Sequence, residues 1–250
     1  MNKLPHITFA FWVMKICATT LGETAGDLVS MTLNVGYAVS TVILLSVFLV
    51  TVVAQLASKK YHPFLYWSVI LSTSTAGTTM SDYMDRTLKL GYATGSAILL
   101  GILLAIFAYW RSTGQSLSVE KIHSRKLETL YWVAILFSNT LGTALGDFLA
   151  DDSGLGFAGG AILMGSLIAI VAAAAYFTRI SRVFLFWLAF VLTRPFGATL
   201  GDVLTKSKED GGLNFGTMGS SAVLGGILIA LVILEIRKLG KRAEQPVSAE

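Results

Sequence analysis

The chain has 250 residues, 54% of them hydrophobic and only 14% charged, with a mean hydropathy of +0.69 and a net charge of +4. A soluble domain carries about 25% charged residues. Here stretches such as 90–110 and 154–178 carry none, and each exceeds the ~20 residues a helix needs to cross a bilayer. A soluble enzyme, a disordered tail and a secreted disulfide scaffold are excluded. The single Cys17 allows no internal disulfide and no thiolate metal cluster. His6, His62 and His123 lie in basic, non-spanning stretches, which excludes an intramembrane bis-histidine haem.

Eight apolar segments follow in chain order: 7–29, 35–56, 64–84, 90–110, 127–149, 155–177, 183–204 and 214–236. They predict an all-α, polytopic integral membrane protein with eight transmembrane helices. Thirteen Lys and Arg fall on one side of these segments, among them Lys59, Lys60, Arg125, Lys126 and Arg182, against four on the other: Arg86, Lys89, Lys206 and Lys208. By the positive-inside rule both termini are expected in the cytoplasm, so the basic balance records orientation and not a nucleic-acid partner. The first segment is long enough to span and carries Lys15, which argues against a cleaved signal peptide. Residues 238–250 read as a polar cytoplasmic tail, and the loop 111–126 as the midpoint between two halves.

Four segments align without gaps over sixteen residues, from Trp12 to Asp27, Trp67 to Asp82, Trp132 to Asp147 and Trp187 to Asp202. In each, Gly follows Trp by ten residues (Gly22, Gly77, Gly142, Gly197) and Asp follows by fifteen. The second helix of each unit opens with Gly36, Gly91, Gly156 or Gly216, the last displaced by a five-residue insertion containing Lys208, Glu209 and Asp210. The chain thus divides into four two-helix repeats, about 7–57, 63–111, 127–178 and 183–237, within one membrane domain. Two spans per unit make the repeats parallel, related by an axis along the membrane normal. At 1.5 Å per residue the Gly lies about 15 Å beyond the Trp, near the midplane, and the Asp about 22 Å beyond it.

At these Trp, Gly and Asp positions the sequence resembles a bacterial family of inner-membrane proteins built from four tandem two-helix repeats of unknown function, each with a characteristic tryptophan. The resemblance spans about 11–236 and implies an eight-helix architecture in the bacterial cell inner membrane. It implies no activity. The fourth repeat departs most, with Arg194 and Pro195 where the first has Thr19 and Thr20.

Asp27, Asp82, Asp147 and Asp202 are candidates for ion binding, because an ionised carboxylate in hydrocarbon needs a partner or a water-filled cavity. Their alternative role is to cap the next helix or close the hairpin. Glu23 occurs in one repeat only and lies deeper. With Asn139, Thr143 and the neighbouring hydroxyls these residues form an all-oxygen environment suited to hard cations, a metal being expected on Glu23, Asp27 and Asp147. Lys15 is expected to snorkel to the inner interface. Arg194 is either a fixed counter-ion to Glu23 or an Asp, or an anion-binding group. Pro195 is expected to break or kink the seventh helix. The four Trp read most simply as interface anchors, and the four midplane Gly as packing contacts.

The leading expectation is a transporter or permease for a small cation, in its sharpest form a proton-coupled exporter of a divalent metal such as manganese. The alternatives are a non-transporting scaffold or sensor working through 111–126, and a carrier of an anionic solute through Arg194. No HExxH, Gly-x-Ser-x-Gly or Ser–Lys arrangement is present, so no enzyme is expected. The expected partners are the lipid bilayer and a small cation, with homo-oligomerisation open, and no cofactor beyond the transported ion.

Overall fold

The computed structural model describes residues 4–122 and 124–244, so the expected placements of Lys3, His123 and 245–250 lie outside the described residues. Eight long helices dominate: α1 (Phe9–Asp27), α2 (Tyr37–Ala57), α3 (Pro63–Asp82), α4 (Tyr92–Ser112), α5 (Arg125–Asp147), α6 (Gly156–Phe177), α7 (Arg182–Thr205) and α8 (Thr217–Glu244). Local sequence sets several of the starts. The Thr8 and Ser124 hydroxyls accept hydrogen bonds from the N–H groups of Phe11 (3.4 Å) and Leu127 (3.2 Å), and Pro63 opens α3. Six helices (α2, α4, α5, α6, α7 and α8) are long and apolar enough to cross a membrane. α1 and α3 are not, because Thr, Ser, Gly and acidic residues fill their second halves.

α1, α3, α5 and α7 form a closed inner ring, each packed on its two neighbours, with α7 returning to α1. The second helix of each repeat does not pack chiefly on its own partner. α2 lies against α3, α4 against α5, α6 against α7, and α8 completes the circle on α1. The outer helices turn Val, Leu and Ile outward, as at Val42, Val50, Ile162 and Ile229.

The connection that opens each hairpin is itself repeated. After Asp27, Asp82 and Asp147 the helix runs on through one wide, π-type turn (Leu28–Thr32, Tyr83–Thr87, Phe148–Asp152). The chain then reverses through two left-handed positions: Asn34 and Gly36, Lys89 and Gly91, Gly154 and Gly156, Asn214 and Gly216. Gly36 (φ 82°, ψ 155°) and Gly91 (φ 75°, ψ 153°) occupy backbone space that essentially only glycine enters. In the fourth repeat the wide turn gives way to the inserted loop, held by the N–H of Asn214 on the Lys206 carbonyl at 2.9 Å.

Two local expectations change. α8 continues to Glu244, so 238–244 is helix and not tail. α7 is continuous through Pro195 and unbroken there; packing on the adjoining helices holds such a residue in place. The 111–126 connection is largely exposed but is tied to the bundle, since Val119 and Ile122 are buried and the Leu117 carbonyl accepts the Trp187 indole N–H at 2.9 Å.

Candidate functional site

The interior of the ring is built in levels, and at each level one repeat touches the next in the same sense. At the Trp end, the residue before each Trp stacks on the Trp of the following repeat. Phe11 meets Trp67 (5.7 Å between centroids), Tyr66 meets Trp132 (5.5 Å), Tyr131 meets Trp187 (6.0 Å) and Phe186 meets Trp12 (5.7 Å). The Tyr66 and Tyr131 hydroxyls bond each other at 2.8 Å. Trp67, Trp132 and Trp187 are buried in this cluster and only Trp12 is partly exposed. The aromatic residues therefore seal one end of the ring; the interface-anchor reading does not describe the three buried ones.

At mid-height each repeated Gly receives the residue three positions before the Gly of the next repeat. Gly22 faces Ser74, Gly77 faces Asn139, Gly142 faces Arg194 and Gly197 faces Thr19. One turn on, Gly26 faces Thr78, Gly146 faces Ala198 and Gly201 faces Glu23. This small-xxx-small pattern lets the four backbones approach closely, and it delivers a defined set of side chains to the axis. The packing reading of the glycines is the structural one.

Arg194 fills that axis and is wholly buried. Its Nη2 donates to Glu23 Oε2 (2.8 Å), Thr78 Oγ1 (2.5 Å) and Thr143 Oγ1 (2.6 Å), gathering α1, α3 and α5 around α7. Of the two expected roles for Arg194, the structure has the counter-ion to Glu23. Toward the Trp end lies Lys15, also wholly buried, with its Nζ 3.5 Å from Asn139 Oδ1 and 4.1 Å from the Phe190 ring centroid. Lys15 does not snorkel. Asn139 also donates to Thr73 Oγ1 at 3.0 Å and so belongs to this lower level, apart from the carboxylates.

At the Asp end the four repeat carboxylates converge. Arg86 reaches Asp82 (3.1 Å) and Asp147 (3.5 Å), and Lys206 reaches Asp27 (3.1 Å) and Asp202 (3.2 Å). Each cation lies four residues after its own Asp and bridges to the Asp of the following repeat. Burial opposes both charges, but the paired carboxylates outweigh it and hold Lys206 and Arg86 protonated above their usual ranges. Asp27, Asp82 and Asp147 make no side-chain cap on the turns that follow them, so the capping reading fails for these three. Arg86 and Lys206 were legible only as orientation charges; their i,i+4 spacing from Asp82 and Asp202 was the available signal of a pairing role.

The ring is thereby reduced to a pseudo-two-fold arrangement. Cations bridge the second repeat to the third and the fourth to the first. The interval between the third and fourth repeats has no bridging cation among the described residues and borders a cavity of about 420 Å³ lined by Asp147, Asp151, Asp202 and Asp210, with Arg86 and Lys206 among its walls. One carboxylate oxygen each from Glu23, Asp147 and Asp202 lies within 4.8 Å of the others. Of the expected set Glu23, Asp27 and Asp147, the structure brings Glu23 and Asp147 together with Asp202 and leaves Asp27 outside the cluster, although Lys206 pairs with both Asp27 (3.1 Å) and Asp202 (3.2 Å).

A ring of four repeated helices around buried ion pairs, sheathed by four apolar helices, defines an all-helical tandem-repeat protein with helices of membrane-spanning length and apolarity. The family model described as Repeat of Unknown Function (DUF347) matches residues 10–61, 65–116, 130–181 and 185–239, and the chain belongs to this family. Neither a curated protein nor a solved structure matches it.

Proposed function

We propose that the protein is a secondary transporter of a small hard cation, a divalent metal such as manganese, exchanged for protons, in the bacterial inner membrane. All eight helices span in this reading, with both termini and the aromatic seal at the cytoplasmic face and the acidic cavity at the opposite one. The carrying observation is the approach of Glu23, Asp147 and Asp202 within 4.8 Å beside that cavity. Around it five carboxylates (Glu23 and the four Asp) face three cations (Arg86, Arg194 and Lys206). That leaves formal negative charge for a bound cation or protons to neutralise. The donors are oxygen only, which suits Mn²⁺, Mg²⁺ or Ca²⁺ over Cu⁺ or Zn²⁺. Arg194 is committed to Glu23 and two hydroxyls, which argues against an anionic cargo. Among the described residues the site contains no nucleophile–base pair that argues for an enzyme.

Calorimetry on detergent-purified protein across Mn²⁺, Mg²⁺, Ca²⁺, Zn²⁺ and Na⁺ tests the reading. Saturable binding of one hard cation should weaken at least about 10-fold, or 1.4 kcal/mol, in Asp147→Asn and in Asp202→Asn. Flux into vesicles should fall with it. Absence of saturable binding, or binding indifferent to both changes, overturns the proposal.

A further inference from the structure

Lys15 is a buried ionisable group that the cation site does not use. Its counterparts three residues after the other repeat tryptophans are Ile70, Ile135 and Phe190, so the fold asks for an apolar side chain there. The amine has no ion pair among the described residues, only a long hydrogen bond to Asn139 and the face of Phe190. A buried charge normally has a hydrogen-bonded counter-ion, and leaving one unpaired costs several kcal/mol. The ionisable groups on the surrounding helices do not fill that role. Arg194 on α7 is a like charge, about one turn (~6 Å) nearer the Asp end by residue count. Tyr66 on α3 and Tyr131 on α5 are bonded to each other, and Glu235 on α8 accepts from Tyr61 (2.8 Å) and Trp67 (3.0 Å).

We propose that Lys15 carries the coupled proton, alternating between ammonium and neutral amine as the carboxylate site empties and fills. The link is Arg194. When a divalent cation draws on the Glu23 carboxylate, the guanidinium loses part of its neutralisation and confronts Lys15 as a less compensated like charge. The ammonium then gives its N–H proton to water and keeps the electron pair as the free amine. Departure of the cation restores the Glu23–Arg194 pair, and the amine takes a proton back. This rests on the transport reading, and adds which group is coupled and where.

The test is Mn²⁺ calorimetry on the full chain in two buffers of different ionisation enthalpy, which counts protons released per metal bound. Lys15→Ile, which installs the residue of two sister repeats, should bind Mn²⁺ within about 3-fold of wild type but release about one proton fewer per metal. An unchanged proton count overturns the proposal. In parallel, ¹³C NMR of the lysine ε-carbons identifies the Lys15 resonance as the one missing from Lys15→Ile. That resonance should leave the charged form apart from the other lysine resonances, and its midpoint should shift when a diamagnetic hard cation that the wild type binds, Mg²⁺ or Ca²⁺, fills the site in place of paramagnetic Mn²⁺. A resonance that titrates together with the other lysines overturns the proposal, as does a midpoint indifferent to the bound diamagnetic cation. Wild-type protein that binds no metal refutes the transport reading and removes the coupling partner, so it overturns the proposal as well; the metal-free titration then separates the two failures by showing whether Lys15 exchanges its proton at all.

Discussion

Replacing Arg194 by Met removes from the axis of the ring the group that holds α1, α3 and α5 to α7. Its Nη2 makes contacts of 2.8, 2.5 and 2.6 Å with Glu23, Thr78 and Thr143, all in a site with no solvent exposure at the arginine. Deleting one member of a buried ion pair costs about 3–5 kcal/mol. Arg194→Met belongs at the upper end of that range, because the Glu23 carboxylate is left beside Asp147 and Asp202 with no cation of its own. Glu23→Gln costs less, since Arg194 keeps both threonine hydroxyls and remains close to the excess carboxylates. The double variant leaves neither charge stranded, so its loss should fall short of the sum of the single losses by about 2–3 kcal/mol. The assay is unfolding in mixed micelles followed by the fluorescence of the buried Trp67 and Trp132. At roughly 2–4 °C per kcal/mol for a chain of this size, Arg194→Met should lower the midpoint by about 10–20 °C. Additive losses, within about 0.5 kcal/mol, refute the claim that these two residues stabilise each other.

Two further outcomes follow from the levels above and below that pair. Gly22→Ala drives a methyl group into Ser74 across the α1–α3 contact and should cost about 1–3 kcal/mol, whereas Gly101→Ala on the outer helix α4 meets nothing within 4 Å and should be neutral or gain up to about 1 kcal/mol; equal effects in the same unfolding assay contradict the close-approach argument. Burial pushes the Asp85 carboxyl up to about 6, although the Ser81 hydroxyl 3.2 Å away works in the other direction, and its Oδ1 has no hydrogen-bond partner. The folded state therefore holds that proton more tightly than the unfolded chain, so Asp85 contributes stability at low pH that is lost as pH rises through about 6. Asp85→Asn should match wild type near about pH 4 and melt higher near about pH 7.5; a difference that does not vary with pH rejects this assignment.

Much of the architecture was legible because a fourfold repeat records its own geometry. The spacing of ten residues from Trp to Gly and fifteen to Asp puts equivalent side chains at equal heights, and the helices begin where Gly36, Gly91, Gly156 and Gly216 say they should. The Arg194–Glu23 pairing was also within reach, since two opposite charges at similar depth in apolar helices have few other partners. Lys15 was not. Three residues past Trp12 it stands close enough to an interface to snorkel, and only the neighbours that surround α1 close that route. The partners of the four Asp were equally hidden, because a carboxylate at a helix end can turn toward its own loop or toward the next helix.

What the sequence by itself determined is the helical class, the four repeats and the height of each side chain along its helix, all properties of a single chain segment and its 1.5 Å rise. What only the tertiary structure decided is direction around the ring. It places each outer helix on the inner helix of the next repeat, leaves cations bridging alternate intervals, and brings Glu23 to Asp147 and Asp202 in place of Asp27. Periodicity along a helix carries height but not azimuth between helices; that azimuth is set by which small residue receives which neighbour, as Gly142 receives Arg194 and Gly201 receives Glu23.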